Sequence, residues 1–157
     1  MSADPIKFRI EGFDYQAPRM DCWTQADLLA KLSPLMAAGA VEAILYFSAG
    51  NGASEGGDLL KGVAATLPSI AMSIATMSSG DRAFIYEACL TRCARRSNPA
   101  DNWMLIYDTG ARRFMFDDLN YDAMMLGSIL SQIIQQNLMP FFLRAKDLIL
   151  KSAGGQA

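Results

Sequence analysis

The sequence predicts an α+β domain that is mainly α-helical, and three observations carry that prediction. Residues 5–16, PIKFRIEGFDYQ, alternate apolar and charged side chains about a single glycine. Residues 103–107 and 112–116, WMLIY and RRFMF, are aromatic-rich runs on either side of a turn cluster. Between and after these two stretches, apolar residues recur at intervals of three and four, the spacing of a helix with one buried stripe. The expected order is an N-terminal β-hairpin, helices, a second β-hairpin near 103–116, and C-terminal helices. That order lacks the strict strand–helix alternation of a parallel sheet. A chain of 157 residues is long enough to bury one sizeable core, so a single domain over 1–157 is expected.

In the first hairpin Ile6, Phe8 and Ile10 alternate with Lys7, Arg9 and Glu11, the period of a strand with one buried face. Glu11-Gly12 makes the turn, because glycine tolerates positive φ. Phe13 and Tyr15 start the return strand and Pro18 closes it. A helix follows from about Thr24, its expected N-cap, with Leu28, Leu29, Leu32, Leu35 and Met36 on one face and a break near Pro34. Residues 40–47, AVEAILYF, fit either strand or helix. Residues 48–58, SAGNGASEGGD, are a flexible glycine-rich loop, and helical spacing resumes from residue 59 with a kink at Pro68.

A further helix is predicted from about Gly80 to Arg95, with Phe84, Ile85, Ala88, Cys89 and Arg92 along one stripe. The second hairpin turns at Asp108-Thr109-Gly110-Ala111. Asp117 and Asp118 suit the positive end of the next helix dipole. That helix carries Met124, Met125, Ile129, Ile133 and Ile134 on its apolar face and is expected to end near Asn137, ahead of Pro140. The last residues, 152–157, are expected to form a flexible tail.

Composition excludes several classes of function. A net charge of −2 and a pI of about 5.0 weigh against general attraction to nucleic acid. Charged residues in the first twenty positions and the lack of a membrane-length apolar run weigh against a signal peptide or a membrane span. Three cysteines cannot all pair with one another, which suits a reducing cytoplasm. Histidine is absent, which removes the commonest general base and metal ligand. A hydrophobic share of 52% against 19% charged residues hints at surfaces made for partners.

Individual constellations point the same way. The glycine loop at Gly50–Gly56 has no lysine-serine or lysine-threonine pair to complete a phosphate cradle, and a plain loop accounts for it. Cys89 and Cys93 would share a helix face, but two thiolates alone make a poor zinc site; small buried hydrophobes are the better account. Arg92, Arg95, Arg96, Arg112 and Arg113 form the one basic concentration, read as a solvated face with ion pairs to Asp101, Asp117 or Asp118. Helix capping explains Asp117 and Asp118 without catalysis or a metal, although Asp122 lies close by. No catalytic, cofactor-binding or metal site is expected. Ten methionines are more suggestive, because methionine adapts to varied apolar partners. Met104, Met115, Met124, Met125 and Met139 are candidates to face one.

The segments also come in a familiar order. IKFRIEGFDYQAPRMDCWTQADLLAKLSPLM, then FIYEACLTRCARR, WMLIYDTGARRFMFDDL and ILSQIIQQNLMPFF, resemble the phage tail assembly chaperone family over about residues 6–145. The resemblance implies a non-enzymatic protein of the bacterial cytoplasm that binds the helical tape-measure protein during tail assembly. It implies help in recruiting tail-tube subunits and absence from the mature virion. In that family a frameshift often extends part of the chaperone population. A structural or adaptor component of the virion, in the tail or head–tail connector, is the alternative; a small nucleotide-binding protein built on the glycine loop is a weaker one. Expected partner-binding residues are Met124, Met125, Met139, Phe141, Phe142 and Leu143, with self-association also compatible and with neither membrane nor nucleic acid as partner. Of the two phenylalanines behind Pro140, one is expected to plug the core and the other to line a groove.

Overall fold

In the computed structural model of the chain, residues 4–33 and 74–154 are described. The expected break at Pro34, the ambiguous run 40–47, the loop 48–58 and most of the helix from residue 59 lie outside the described residues. What is described is α+β and mainly helical, as the periodicities predict.

The N-terminal hairpin forms where expected, from β1 (Ile6–Ile10) and β2 (Phe13–Ala17). Glu11 and Gly12 both take positive φ, 48° and 87°, the pair of left-handed residues that a two-residue turn needs to match strand twist. Nothing lies within 4 Å of where a Cβ on Gly12 would sit, so Gly12→Ala meets only backbone strain. Its expected cost is about 1 kcal/mol in urea unfolding, with the hairpin retained.

β1 and β2 belong to a four-stranded antiparallel sheet of order β1-β2-β3-β4, with β3 at Ala94–Arg96 and β4 at Met104–Leu105. Directly paired residues share a face. The register therefore puts Ile6, Phe8, Ile10, Phe13, Tyr15, Ala17, Arg95 and the exposed Met104 on one face, and Lys7, Arg9, Asp14, Gln16, Arg96, Leu105 and the buried Ala94 on the other. The first face is the core face: Ile6, Tyr15 and Ala17 are fully buried, and Phe8 stacks on Tyr15 at 5.4 Å. The second is polar. Asp14 sits between Arg9 at 3.7 Å and Arg96 at 3.4 Å, and the Arg96 guanidinium lies 4.5 Å over Trp103.

Helix α1 runs over residues 22–33. Its cap is Asp21, not Thr24: the Asp21 carboxylate accepts the Thr24 amide at 2.8 Å, and the Asp21 carbonyl accepts that of Gln25. Both residue types cap well, and the one earlier in the chain is used. Leu28 and Leu32 are buried as the stripe predicts. Helix α2 (Ser79–Leu90) is capped by the Ser78 hydroxyl and joined to α1 through Lys31 and Asp81, 2.6 Å apart.

α2 ends at Leu90, five residues before the end that periodicity predicts. The Thr91 amide donates to the Glu87 carbonyl, Arg92 turns left-handed at φ 63°, and the Cys93 amide donates to the Leu90 carbonyl. The chain then becomes β3, an inner strand of the sheet. A three-residue strand is too short to reveal its period, and its apolar neighbours Cys89 and Cys93 extend the helical spacing by coincidence. The two cysteines thus do not share a helix face. Both are free and buried, and burial pushes both thiols up, Cys93 to about 12. They behave as small hydrophobes.

The second hairpin lies where expected but is divided. β4 pairs with β3, while β5 (Tyr107–Asp108) pairs with β6 (Arg113–Phe114). Ile106 joins the two pairings, donating its amide to the Cys93 carbonyl and accepting the Met115 amide at its own. Asp108 holds the turn by accepting the amides of Gly110 and Ala111.

A single turn, α3 (Asp117–Asn120), precedes the long helix α4 (Ala123–Gly154, 32 residues). The cap of α4 is Asp122, whose carboxylate accepts the Met125 amide at 3.0 Å. α4 does not end near Asn137; it continues through Pro140 to Gly154. Proline removes only the bond from its own nitrogen to the carbonyl four residues earlier, so the helix can resume at the next residue. Met125, Ile129, Leu130, Ile133, Ile134 and Leu138 put one side of α4 into the core with Leu28, Leu32, Ile85 and Tyr15. α4 lies against β1, α2 and α3.

Candidate partner-binding surface

The six residues proposed from sequence all lie on α4, at two separate places. Met124 and Met125 occupy its first turn. Met124 is 77% exposed, whereas Met125 is in the core. Met139, Phe141 and Leu143 come fifteen or more residues later, about 22 Å along the axis at 1.5 Å per residue. Met139 is half-buried, and Phe141 and Leu143 are exposed by nearly half. The side chain of Phe142 lies outside the described residues, so the division of labour between the two rings does too. The six are not one patch.

The apolar surface of the second half of α4 is larger than the proposed set. Leu148 is 68% exposed and lies seven residues beyond Phe141, on the same stripe. Leu143 lies on another side of the helix. Asn137 anchors the point from which this half departs. It is 2% exposed, its Nδ2 donates to the Ile133 carbonyl at 2.9 Å, and its Oδ1 accepts the Met20 amide at 2.9 Å. The segment after the first hairpin is thereby tied to α4 one turn before Phe141.

Three further exposed groups lie elsewhere. Trp23 is 80% exposed in the first turn of α1, and Tyr121 is 92% exposed between α3 and α4. Met104, Leu105 and Met115 are each more than half exposed around the junction of β4 and β6. Met104 and Met115 were legible as methionines of the second hairpin. Trp23 had a signal that was not used: at 100° per residue it lies roughly opposite Leu28 and Leu32 on the helical wheel.

The arginine concentration separates into different environments. Arg92, Arg112 and Arg113 are exposed, as expected of a solvated face. Arg95 is not. It projects from β3 onto the core face, is 7% exposed, and lies between the rings of Phe13 at 4.5 Å and Phe116 at 3.7 Å. Its two terminal nitrogens donate to both oxygens of Asp118 at 2.6 and 2.8 Å. Asp118 thus serves this pair as well as standing in the first turn of α3, and its hydrogen bonds from Arg95, with smaller ones from the backbone of that turn, hold the carboxyl below the usual range. Tyr15 lies beside them with its hydroxyl buried; burial pushes the phenol up and the adjacent Arg95 guanidinium opposes this. Such a fully engaged cation is a structural rivet and leaves no donor fork for a ligand.

Among the described residues, no three acidic or thiol side chains gather as a metal site, and no helix is long and apolar enough to cross a membrane. The arrangement therefore offers surfaces: a helix presenting apolar side chains, on a sheet-and-helix body with a well-filled core. A family model described as phage tail assembly chaperone protein, TAC, matches residues 11–150. The chain belongs to this family. The match overlaps the resemblance read over residues 6–145 from residue 11 onward and includes both hairpins' turns and most of α4. No curated protein and no solved structure matches the chain.

Proposed function

We propose that this tail assembly chaperone binds the tape-measure protein of its phage while the tail is being built, without catalysing a reaction. The family match over residues 11–150 carries this reading. The apolar stripe of α4 supports it: Phe141 and Leu148 stand seven residues apart on one side of the helix, a spacing suited to packing along an amphipathic client helix. Flexible apolar side chains such as Met124 and Met139 can adapt to a client whose sequence varies along its length. The chaperone works in the cytoplasm of the host cell and leaves before the virion is complete, with the tail-tube protein as a second client. Residues 1–157 act as one domain in this reading.

Co-expression with the tape-measure protein, followed by pull-down and size-exclusion chromatography, tests the proposal. The client is expected to become soluble only with the chaperone, and Phe141→Asp with Leu148→Asp should reduce the recovered complex at least about tenfold while circular dichroism stays unchanged. A client equally soluble with and without the chaperone rejects the reading. Detection of the chain in purified virions would favour a structural component instead.

A further inference from the structure

We infer that the outer edge of β1, which no described strand covers, is a docking site for an extended, acidic segment of a partner protein that adds to the sheet as a further strand. β1 is the terminal strand in the order β1-β2-β3-β4. Its two-residue turn makes Ile10 and Phe13 a hydrogen-bonded pair. In an antiparallel ladder the bonding direction alternates, so Ile6, Phe8 and Ile10 direct their backbone groups to β2. Lys7 and Arg9 direct theirs outward. Among the described residues no strand pairs with that side.

The side chains along this edge specify the occupant. Lys7 and Arg9 are exposed, both on the polar face, while Phe8 and Ile10 are only half-buried on the other. Lys7 has the neutral Gln16 as its cross-strand partner, and Arg9 meets Asp14 only at 3.7 Å with two thirds of its side chain exposed. Arg96 adds a third cation to the same face, so among the described strand residues three cations share it with one carboxylate, Asp14. An added strand whose acidic residues alternate with apolar ones would set its carboxylates beside Lys7 and Arg9. Its apolar residues would cover the open flanks of Phe8 and Ile10.

The same charges disfavour the other obvious occupant. If two copies paired antiparallel about Phe8, Lys7 of each would lie opposite Arg9 of the other, a like-charge arrangement that destabilises a ladder. The charges thus guard the edge against self-pairing, and among the described residues they leave it free for an acidic strand. This inference stands apart from the helix surface of α4 and survives if that surface proves idle.

A capped eight-residue peptide alternating glutamate and valine is the probe, with an alternating lysine–valine peptide as its control. Titration of the full chain, followed by fluorescence anisotropy and amide hydrogen exchange, should show binding of the acidic peptide alone. Slowed exchange is expected at the Lys7 and Arg9 amides, while those of Ile6, Phe8 and Ile10 are already protected. The double variant Lys7→Glu, Arg9→Glu should invert the preference between the peptides by about tenfold or more. Both substitutions are on exposed positions of the polar face, and retained near-ultraviolet circular dichroism verifies the fold. Absence of binding by either peptide overturns the inference, leaving Lys7 and Arg9 as a plain guard against aggregation. Binding that ignores the charge reversal, or protection that falls outside β1, overturns it equally.

Discussion

Arg95→Ala is expected to lower the free energy of unfolding by about 3 kcal/mol, among the largest single-residue effects outside the apolar core. The substitution removes three things at once. The rings of Phe13 and Phe116 lose the plane between them, Asp118 loses both of its charge-assisted hydrogen bonds, and the core face of β3 acquires a void. Asp118→Asn should cost less, about 1 kcal/mol, because half of the Asp118 side chain is in water and the amide can still accept one bond. Arg95→Lys should fall between the two, since an ammonium keeps the charge but neither stacks flat nor forks.

The pH dependence has a definite sign. The folded Asp118 carboxyl titrates below its unfolded value, so the pair contributes fully above the ordinary carboxylate range, and its contribution falls away as pH drops through the folded value. The gap between wild type and Arg95→Ala should hold steady from pH 7 to 5 and narrow below about pH 4, down to the part that comes from packing. Urea unfolding at a series of pH values measures this. A gap that stays constant to pH 2 would show that Asp118 contributes nothing and that the rings alone hold Arg95.

Arg95 also marks the limit of what the sequence reveals. The first hairpin was legible almost to the residue, because five residues of strict alternation end at a glycine that the turn requires. The stripe of α1 was legible for the same reason, at Leu28 and Leu32, and the site of the second hairpin was legible from two aromatic-rich runs on either side of a turn cluster. β3 was not. Its three residues follow Cys89 and Cys93 at helical spacing, and only pairing with β2 and β4 makes them a strand. With β3 taken for helix, Arg95 read as one more surface arginine. Pro140 misled in the opposite direction, since a local rule against proline yielded to a helix that is apolar on both sides of it. Of the residues singled out on α4, Met124 and Phe141 are exposed, but neighbours in sequence do not share that exposure. Met125, one residue from Met124, points into the core, a consequence of where α4 meets α2 and β1.

Asn137→Ala is the second substitution expected to act strongly, at about 2 kcal/mol, although an asparagine side chain is small and forms no ion pair. The cost arises from what is left behind. The Met20 amide loses the Asn137 oxygen as its acceptor in a part-buried setting, and no backbone carbonyl replaces it in the ladder. The bond from Nδ2 to the Ile133 carbonyl matters less, because that carbonyl can still accept within α4. Asn137→Leu should therefore fare no better than alanine despite filling the space, and Asn137→Asp should partly rescue near neutral pH, since a carboxylate accepts the Met20 amide but must be buried to do so. Exchange of the Met20 amide should quicken at least about tenfold in the alanine and leucine variants, while amides within β1 and β2 keep most of their protection. If the Met20 amide stays protected in all three, the bond to Asn137 is dispensable. The position of α4 relative to the hairpin is then set by Ile133, Ile134 and Leu138 alone. If it is lost, the second half of α4, which carries Phe141 and Leu148, has its base fixed by one polar tie as well as by packing. Under the proposed function, client binding through Phe141 and Leu148 should then be weakened by a substitution that never touches them.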